Sequence, residues 1–372
     1  MRQFKDIHWI APIGGLELRM RGGSRQFAFA AKWKWISIRL REESGSPRNC
    51  KTFGIFQNLV VSPKKIRLQV FASSQTNSRI DESMQIKKVR MQCMEILGGN
   101  LKTDKAYEAA GLDIYIHSNP YRASQVGGGD VYYVTSCASG RISRLLLADI
   151  SGHGEEAAGV AASLKVLLKK NINRISQSGF VQQMNREFLS VSPDDRFATA
   201  VVATYFEPQK RLALGMAGHP NPLLYRMADK LWYKVDENLA NEEPRFQNMP
   251  LGTVDESVYP TRNFHVDSGD MFLLYSDAFI ESINLESNML GIDGVLDVLN
   301  DMESLAPDSI IPILLDKIGS MSASNLNEDD ATLILGVFTD SKPGVRNSLA
   351  APFRLLGPVT DSTQVGPTCK SC

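Results

Sequence analysis

The stretch FATAVVATYF (197–206) is apolar at nearly every position, and its few polar groups are threonine and tyrosine hydroxyls. A strand with one wet face alternates apolar with polar residues; this one does not, so both its faces are covered and it lies inside a layered structure. Reading outward toward the C-terminus, RLALGMAG (211–218), PLLYRM (222–227) and KLWYKV (230–235) follow as strands joined by short links. DMFLLYSDA (270–278) and ATLILGVF (331–338) come later, with helical periods at 291–302 and 309–321 between them. Toward the N-terminus stands a short helix at 180–189. Before it, EEAAGVAASLKVLLKKN (155–171) carries Ala157, Val160, Ala161, Leu164, Leu167 and Leu168 on one helical face, opened by acids and closed by lysines as the helix dipole favours. YVTSCASGRISRLLLADI (133–150) reads as a hairpin turning at Ser-Gly-Arg. Hairpin links imply antiparallel sheets, and helices segregated between strand runs give an α+β class rather than a doubly wound fold.

Aspartates stand at the ends of these strands. Asp130 closes VGGGD (126–130) just before a strand, Asp149 ends LLLAD, Asp277 ends FLLYSD, and Asp329 and Asp330 open the last strand. Any one of them alone is ordinarily a loop or cap residue. If the four ends converge, however, the carboxylates repel one another and resist burial unless cations neutralise them. Hard cations with oxygen ligands, Mn²⁺ or Mg²⁺, suit that donor set. Five scattered histidines and a lone terminal CxxC (369–372) make a poor zinc site. Two ions side by side activate water and hold a phosphoryl group for in-line attack.

The same stretches resemble the metal-dependent protein phosphatases of the protein phosphatase 2C superfamily, in particular the bacterial branch of stage II sporulation protein E and the sigma-regulator phosphatases. VGGGD, LADISGHG (147–154), FATAVVATYF, MAGHPNPLLYR (216–226), NMPLG (248–252), SGDMFLLYSDAFIES (268–282) and DDATLIL (329–335) stand in the branch's order. The resemblance implies a four-layer α/β/β/α sandwich of two antiparallel sheets. It also implies hydrolysis of phosphoserine or phosphothreonine in a regulatory protein, by a water or hydroxide bridging two divalent cations. On that resemblance Asp149 is expected to bridge both ions, the Ile150 carbonyl to serve one, Asp277 and Asp329 to complete the other site, and Asp130 to bind a metal or hold metal-bound waters. Arg122 and Arg196 are candidates for gripping phosphate, though each is more often a surface arginine. His153 is the candidate general acid, against the plainer reading of a turn histidine, and His219 reads as a loop-shaping hydrogen-bonder. Ser151 and Ser276 are not expected to act as nucleophiles. The chain departs from the branch at Tyr133, where a second acid usually stands three residues after Asp130, and at Ala278, where a glycine usually follows. The first departure keeps a rival in play: a catalytically weak module with the same fold that binds phosphoproteins. In the branch, substrates are often anti-anti-sigma domains, and relatives sometimes dimerise through preceding segments.

The chain has 372 residues, 43% hydrophobic and 22% charged, with equal acid and base. That neutrality hides a division: residues 1–80 hold 15 Lys/Arg against 4 Asp/Glu, leaving 26 against 37 in the remainder. The basic part carries three of the four tryptophans but no sustained period, and 59–73 offers at most two short strands. It reads as a poorly ordered extension (1–83) more than as a nucleic-acid arm. A native start at Met84, Met91 or Met94 would account for it. Residues 84–109 are then a short lead-in, 110–339 the phosphatase domain, and the Pro/Gly/Ser-rich 340–372 a loose tail. No apolar run of 18 residues suits a transmembrane helix, the start lacks a signal-type apolar segment, and five cysteines without a disulfide framework fit a reducing cytoplasm.

Overall fold

The computed structural model describes residues 36–39, 52–55, 87–93, 95–121, 127–137, 140–152, 155–191, 196–235, 246–303, 305–342 and 360–364. The chain divides into two compact units, Met1–Asp81 and Glu82–Cys372. In the first, strands β1 (Ile36–Arg39) and β2 (Thr52–Ile55) pair antiparallel. The strands expected at 59–73 lie outside the described residues.

The second unit opens with β3 (Lys88–Arg90), β4 (Glu95–Gly99), β5 (Thr103–Ala109) and β6 (Leu112–Asn119). The hairpin of β7 (Asp130–Cys137) and β8 (Ile142–Ile150) leads into α1 (Glu155–Asn171) and α2 (Gln177–Val191). Four strands follow: β9 (Ala198–Phe206), β10 (Arg211–Ala217), β11 (Leu223–Arg226) and β12 (Leu231–Lys234). Then come β13 (Arg262–His265), β14 (Met271–Tyr275), α3 (Ala278–Glu281), α4 (Gly291–Asn300), α5 (Pro307–Met321), β15 (Ala331–Phe338) and β16 (Thr360–Gln364).

They form two seven-stranded sheets, β13-β10-β9-β8-β7-β4-β16 and β12-β11-β14-β15-β6-β5-β3. Alternation within single strands sorts the layers. In β8, Leu145 and Leu147 point between the sheets, while Leu146, Ala148 and Ile150 point to α1 and α2; β9 splits the same way, with Val201, Ala203 and Tyr205 between the sheets and Ala198, Ala200 and Val202 under the helices. On the other sheet, Leu223, Leu273, Leu333 and Leu335 face Val295, Leu299, Ile310, Leu314 and Ile318 of α4 and α5. The layers are therefore α/β/β/α, and FATAVVATYF is apolar on both sides because each side has its own core. At ~1.5–3 kcal/mol for each fully buried large aliphatic or aromatic side chain, these three cores are the main favourable term.

Two features differ from expectation. The sheets are antiparallel except at one edge of each, where β4 pairs parallel with β16 and β5 with β3. The segment read as a lead-in, 84–109, supplies three strands to the sheets, and 360–364, within the segment read as loose tail, supplies another. Asp361 of β16 takes ion pairs from Lys165 and Lys169 of α1, at 3.0 and 2.5 Å. Among the described residues no helix is long and apolar enough to cross a membrane.

Candidate active site

The acids meet because strand register sets them opposite one another. In the β7–β8 hairpin, Asp130 pairs directly with Asp149, whose other neighbour on β9 is Thr199. In the second sheet β14 runs antiparallel to β15 with Tyr275 opposite Leu333, so Asp277, just past β14, and Asp329, just before β15, share one end. Asp277 also opens α3, and the Glu281 N–H donates to its carbonyl at 2.9 Å, so Glu281 rides one helical turn above it.

Electrostatics registers the meeting. Asp149 is pushed up to about 7, first by burial and then by the charges of Asp277, Asp329, Asp330 and Glu281. Burial, then Asp149 and Asp330, push Asp130 well above the usual carboxylate range, with the hydroxyls of Thr332 and Ser276 pulling the other way. Asp277 and Asp329 are raised as well, each mainly by burial, and Asp277 next by Asp329. Carboxylates of both sheets thus share one electrostatic site.

The donors fit hard cations. Asp130 Oδ2 is buried without a hydrogen-bond partner, a costly arrangement for an acceptor that nothing engages. Gly129 keeps an oxygen-lined space open: a methyl group there would lie 3.1 Å from the Ile150 carbonyl oxygen and 3.4 Å from both Asp149 Oδ1 and the Gly152 carbonyl oxygen. Among the described residues no three acidic, histidine or cysteine side chains close into a ready-made ligand group. A hard ion here would therefore draw on main-chain carbonyls and waters as well as carboxylates, as Mg²⁺ commonly does.

The loop after Asp149 is pinned by its neighbours. The Ser151 N–H donates to the Phe197 carbonyl at 3.0 Å, the Phe197 N–H donates to Ser151 Oγ at 3.1 Å, and Arg196 Nη1 donates to the Ser151 carbonyl at 2.9 Å. Gly152 turns with φ +98°, a conformation L side chains rarely adopt, and its missing Cβ leaves room for the Arg196 guanidinium. Arg196 thus lies against the site loop. Arg122 and His153 fall outside the described residues.

His219 is buried, with Nδ1 2.9 Å from Thr199 Oγ1 and Nε2 3.1 Å from the Tyr275 carbonyl oxygen. A carbonyl only accepts, so Nε2 carries the proton and Nδ1 accepts from the threonine hydroxyl. Burial lowers its pKa to about 4, so the ring is neutral at pH 7. It joins the strand beside Asp149 to the strand that ends before Asp277, a link between the sheets that sequence reasoning reduced to loop shaping. Tyr133 points the other way: three residues after Asp130 it lies on the helix side of the sheet, fully buried, its hydroxyl donating to the Ala161 carbonyl at 3.0 Å. Sequence reasoning also passed over Glu281, whose spacing from Asp277 was the available signal, and Asp330, which was noted without a role of its own.

The family model of Stage II sporulation protein E (SpoIIE) matches residues 139–337, more than half of the chain. The chain belongs to the SpoIIE family. Asp149, Asp277 and Asp329 lie within the matched part, and Asp130 precedes it. Among solved structures, it is similar to the RsbU and RsbW domains of Rv1364c from Mycobacterium tuberculosis, at 26% identity and TM-score 0.51, over 63% of this chain and 63% of that one. It is also similar to the PP2C phosphatase domain and regulatory-domain fragment of the cell fate determinant SpoIIE from Bacillus subtilis, at 15% identity and TM-score 0.51, over 62% of this chain and 63% of that one. The SpoIIE-family chain thus spans about 63% of the length of both solved chains, and its fold is that of the PP2C phosphatase domain.

Proposed function

We propose that this chain is a metal-dependent protein serine/threonine phosphatase that acts on a phosphorylated regulatory protein. The observation that carries the reading is the confluence at one site of Asp130 and Asp149 from one sheet with Asp277 and Asp329 from the other, beside an oxygen-lined space at Gly129. Two divalent cations, Mn²⁺ or Mg²⁺, when bound, would supply a hydroxide at neutral pH and neutralise the phosphoryl oxygens. Asp149 and the Ile150 carbonyl would hold one ion, with Asp149 shared to a second held by Asp277 and Asp329, and Asp130 would hold an ion or its waters. Arg196, against the site loop, and Arg122 would hold the phosphate, since guanidinium matches its geometry. His153 would donate a proton to the departing serine or threonine oxygen. We assign this activity to the unit Glu82–Cys372 and place it in the cytoplasm. Membership of the SpoIIE family, and likeness to a structure described as a cell fate determinant, support a regulatory partner of the anti-anti-sigma kind.

The test is phosphate release from p-nitrophenyl phosphate and a phosphoserine peptide by the purified full chain with Mn²⁺. Asp149→Asn is expected to lower turnover by about a hundredfold or more. A wild-type chain inactive with Mn²⁺ and Mg²⁺, or an Asp149→Asn variant as active as wild type, sinks the reading. Phosphopeptide uptake without metal uptake would point to a binding module instead.

A further inference from the structure

Two adjacent acids open β15, and they do different things. Asp329 Oδ1 accepts the Asp330 N–H at 2.7 Å. Asp330 turns onto the loop that carries Asp130. Its Oδ1 accepts the Tyr121 N–H at 2.6 Å, and its Oδ2 accepts the Gly129 N–H at 2.5 Å and the Asp130 N–H at 3.2 Å, from residues some 200 positions earlier in the chain. Both carboxylate oxygens are thereby engaged by main-chain donors. The fit leaves no room for a side chain at Gly128, where a methyl group would overlap the Asp330 carboxylate. The backbone of the same residue reaches a third segment: its carbonyl accepts from Ser276 Oγ at 3.1 Å, next to Asp277, and Ser276 Oγ in turn accepts the Thr332 N–H at 3.0 Å.

We propose that Asp330 is a positioning residue, a clasp that fixes the Asp130 loop against the Asp277 and Asp329 ends rather than a metal ligand itself. The inference rests on the phosphatase reading only for its consequence in turnover. Its physical basis is donor arithmetic. Three N–H groups converge on one side chain, and an ionised carboxylate, which only accepts, can satisfy all three. An asparagine offers one oxygen, and its amide group would face N–H donors. The β7–β8 ladder sets Asp130 opposite Asp149; the clasp adds a tie from the Gly129–Asp130 backbone to the start of β15 and to Ser276, next to Asp277, through contacts that need no ion.

The experiment uses the full chain with Asp330→Asn. Hydrogen exchange followed by mass spectrometry, in EDTA, should show exchange in the peptide spanning 119–131 faster by about tenfold or more, with the peptide 331–338 unchanged. Calorimetry should show the same number of Mn²⁺ ions bound, with affinity weakened about tenfold or more, as for the loss of an outer-shell partner. Turnover should fall with KM unchanged within about twofold. Unchanged exchange over 119–131 overturns the proposal, and so does the loss of one bound ion, which would make Asp330 a ligand. If Asp330→Asn does not fold, Gly128→Ala, which displaces the carboxylate from the opposite side, should give the same exchange pattern, and normal exchange there overturns the proposal equally. Since exchange is read without metal or substrate, a wild-type chain that lacks phosphatase activity would sink the functional reading and leave this one standing on its own result.

Discussion

At the scale of single residues, the site stores like charge. The Asp149 carboxyl, pushed from an ordinary 3.8 to about 7 by burial and neighbouring acids, holds a proton in the folded chain that it lacks in the unfolded one through much of the range between. A carboxyl raised in this way contributes stability that is fully present below its unfolded pKa and is lost as pH rises through the folded value. Asp130, Asp277 and Asp329 are shifted in the same direction. The EDTA-treated protein is therefore expected to lose melting temperature from these groups as pH climbs from about 4 toward 7 and beyond. Asp149→Asn should flatten that slope, and saturating Mn²⁺ should abolish it, because bound cations favour the ionised forms. Differential scanning fluorimetry across pH reads both, and a site contribution that rises with pH in the metal-free wild type would contradict the assignment.

Among the elements, β7 carries the instructive case. Strand alternation places Asp130 at the site and Tyr133, three residues on, against α1 on the opposite face of the sheet. The departure at 133 from the branch's acid is thus absorbed by packing: a fully buried ring fills the sheet–helix core and its hydroxyl is paired. Tyr133→Asp, which writes the missing acid back, is expected to destabilise the fold by ~3 kcal/mol or more, since it removes a large aromatic and buries an unpaired carboxyl there. It should not raise turnover. Tyr133→Phe, which loses one hydrogen bond while the Ala161 carbonyl keeps its place in the α1 ladder, should cost about 1 kcal/mol. Urea denaturation of the two variants checks both, and a stable, more active Tyr133→Asp protein would show that this side chain can reach the site.

For the unit Glu82–Cys372 as a whole, two ties cross between elements distant in sequence. His219 bridges the sheets through Thr199 and the Tyr275 carbonyl. His219→Leu keeps bulk but leaves both partners unsatisfied, and should lower stability by ~2 kcal/mol, with a larger proportional loss in turnover than in phosphopeptide affinity, because the two acid-bearing sheet ends lose their common strut. The other tie is β16, which covers the outer edge of β4 and is held to α1 by Asp361. Removing 360–372 bares a sheet edge able to pair with another chain, so the truncated protein should melt earlier and elute at a larger apparent size than the full chain in size-exclusion chromatography. Asp361→Asn should show a milder loss that shrinks in high salt.

The sequence by itself determined the class, the order of most strands and helices, the helix 155–171 to the residue, and the placement of acids at strand ends. These are local properties: the apolar period, turn residues and capping charges are read within a dozen positions. It undercounted the strands of 88–119, where Asp104, Lys105, Glu108 and Asp113 interrupt the apolar pattern and paired neighbours supply the burial. It also took 360–364 for loose chain, since pairing with β4 leaves no local mark. Only the tertiary structure decided that Asp130 stands opposite Asp149, that Asp330 rather than Asp329 clasps the Asp130 loop, that Tyr133 turns away from the site, and that His219 spans the sheets. Each of these depends on register and sheet packing between residues tens to some two hundred positions apart, and such contacts follow from how whole faces of the two sheets fit together rather than from any one stretch of letters.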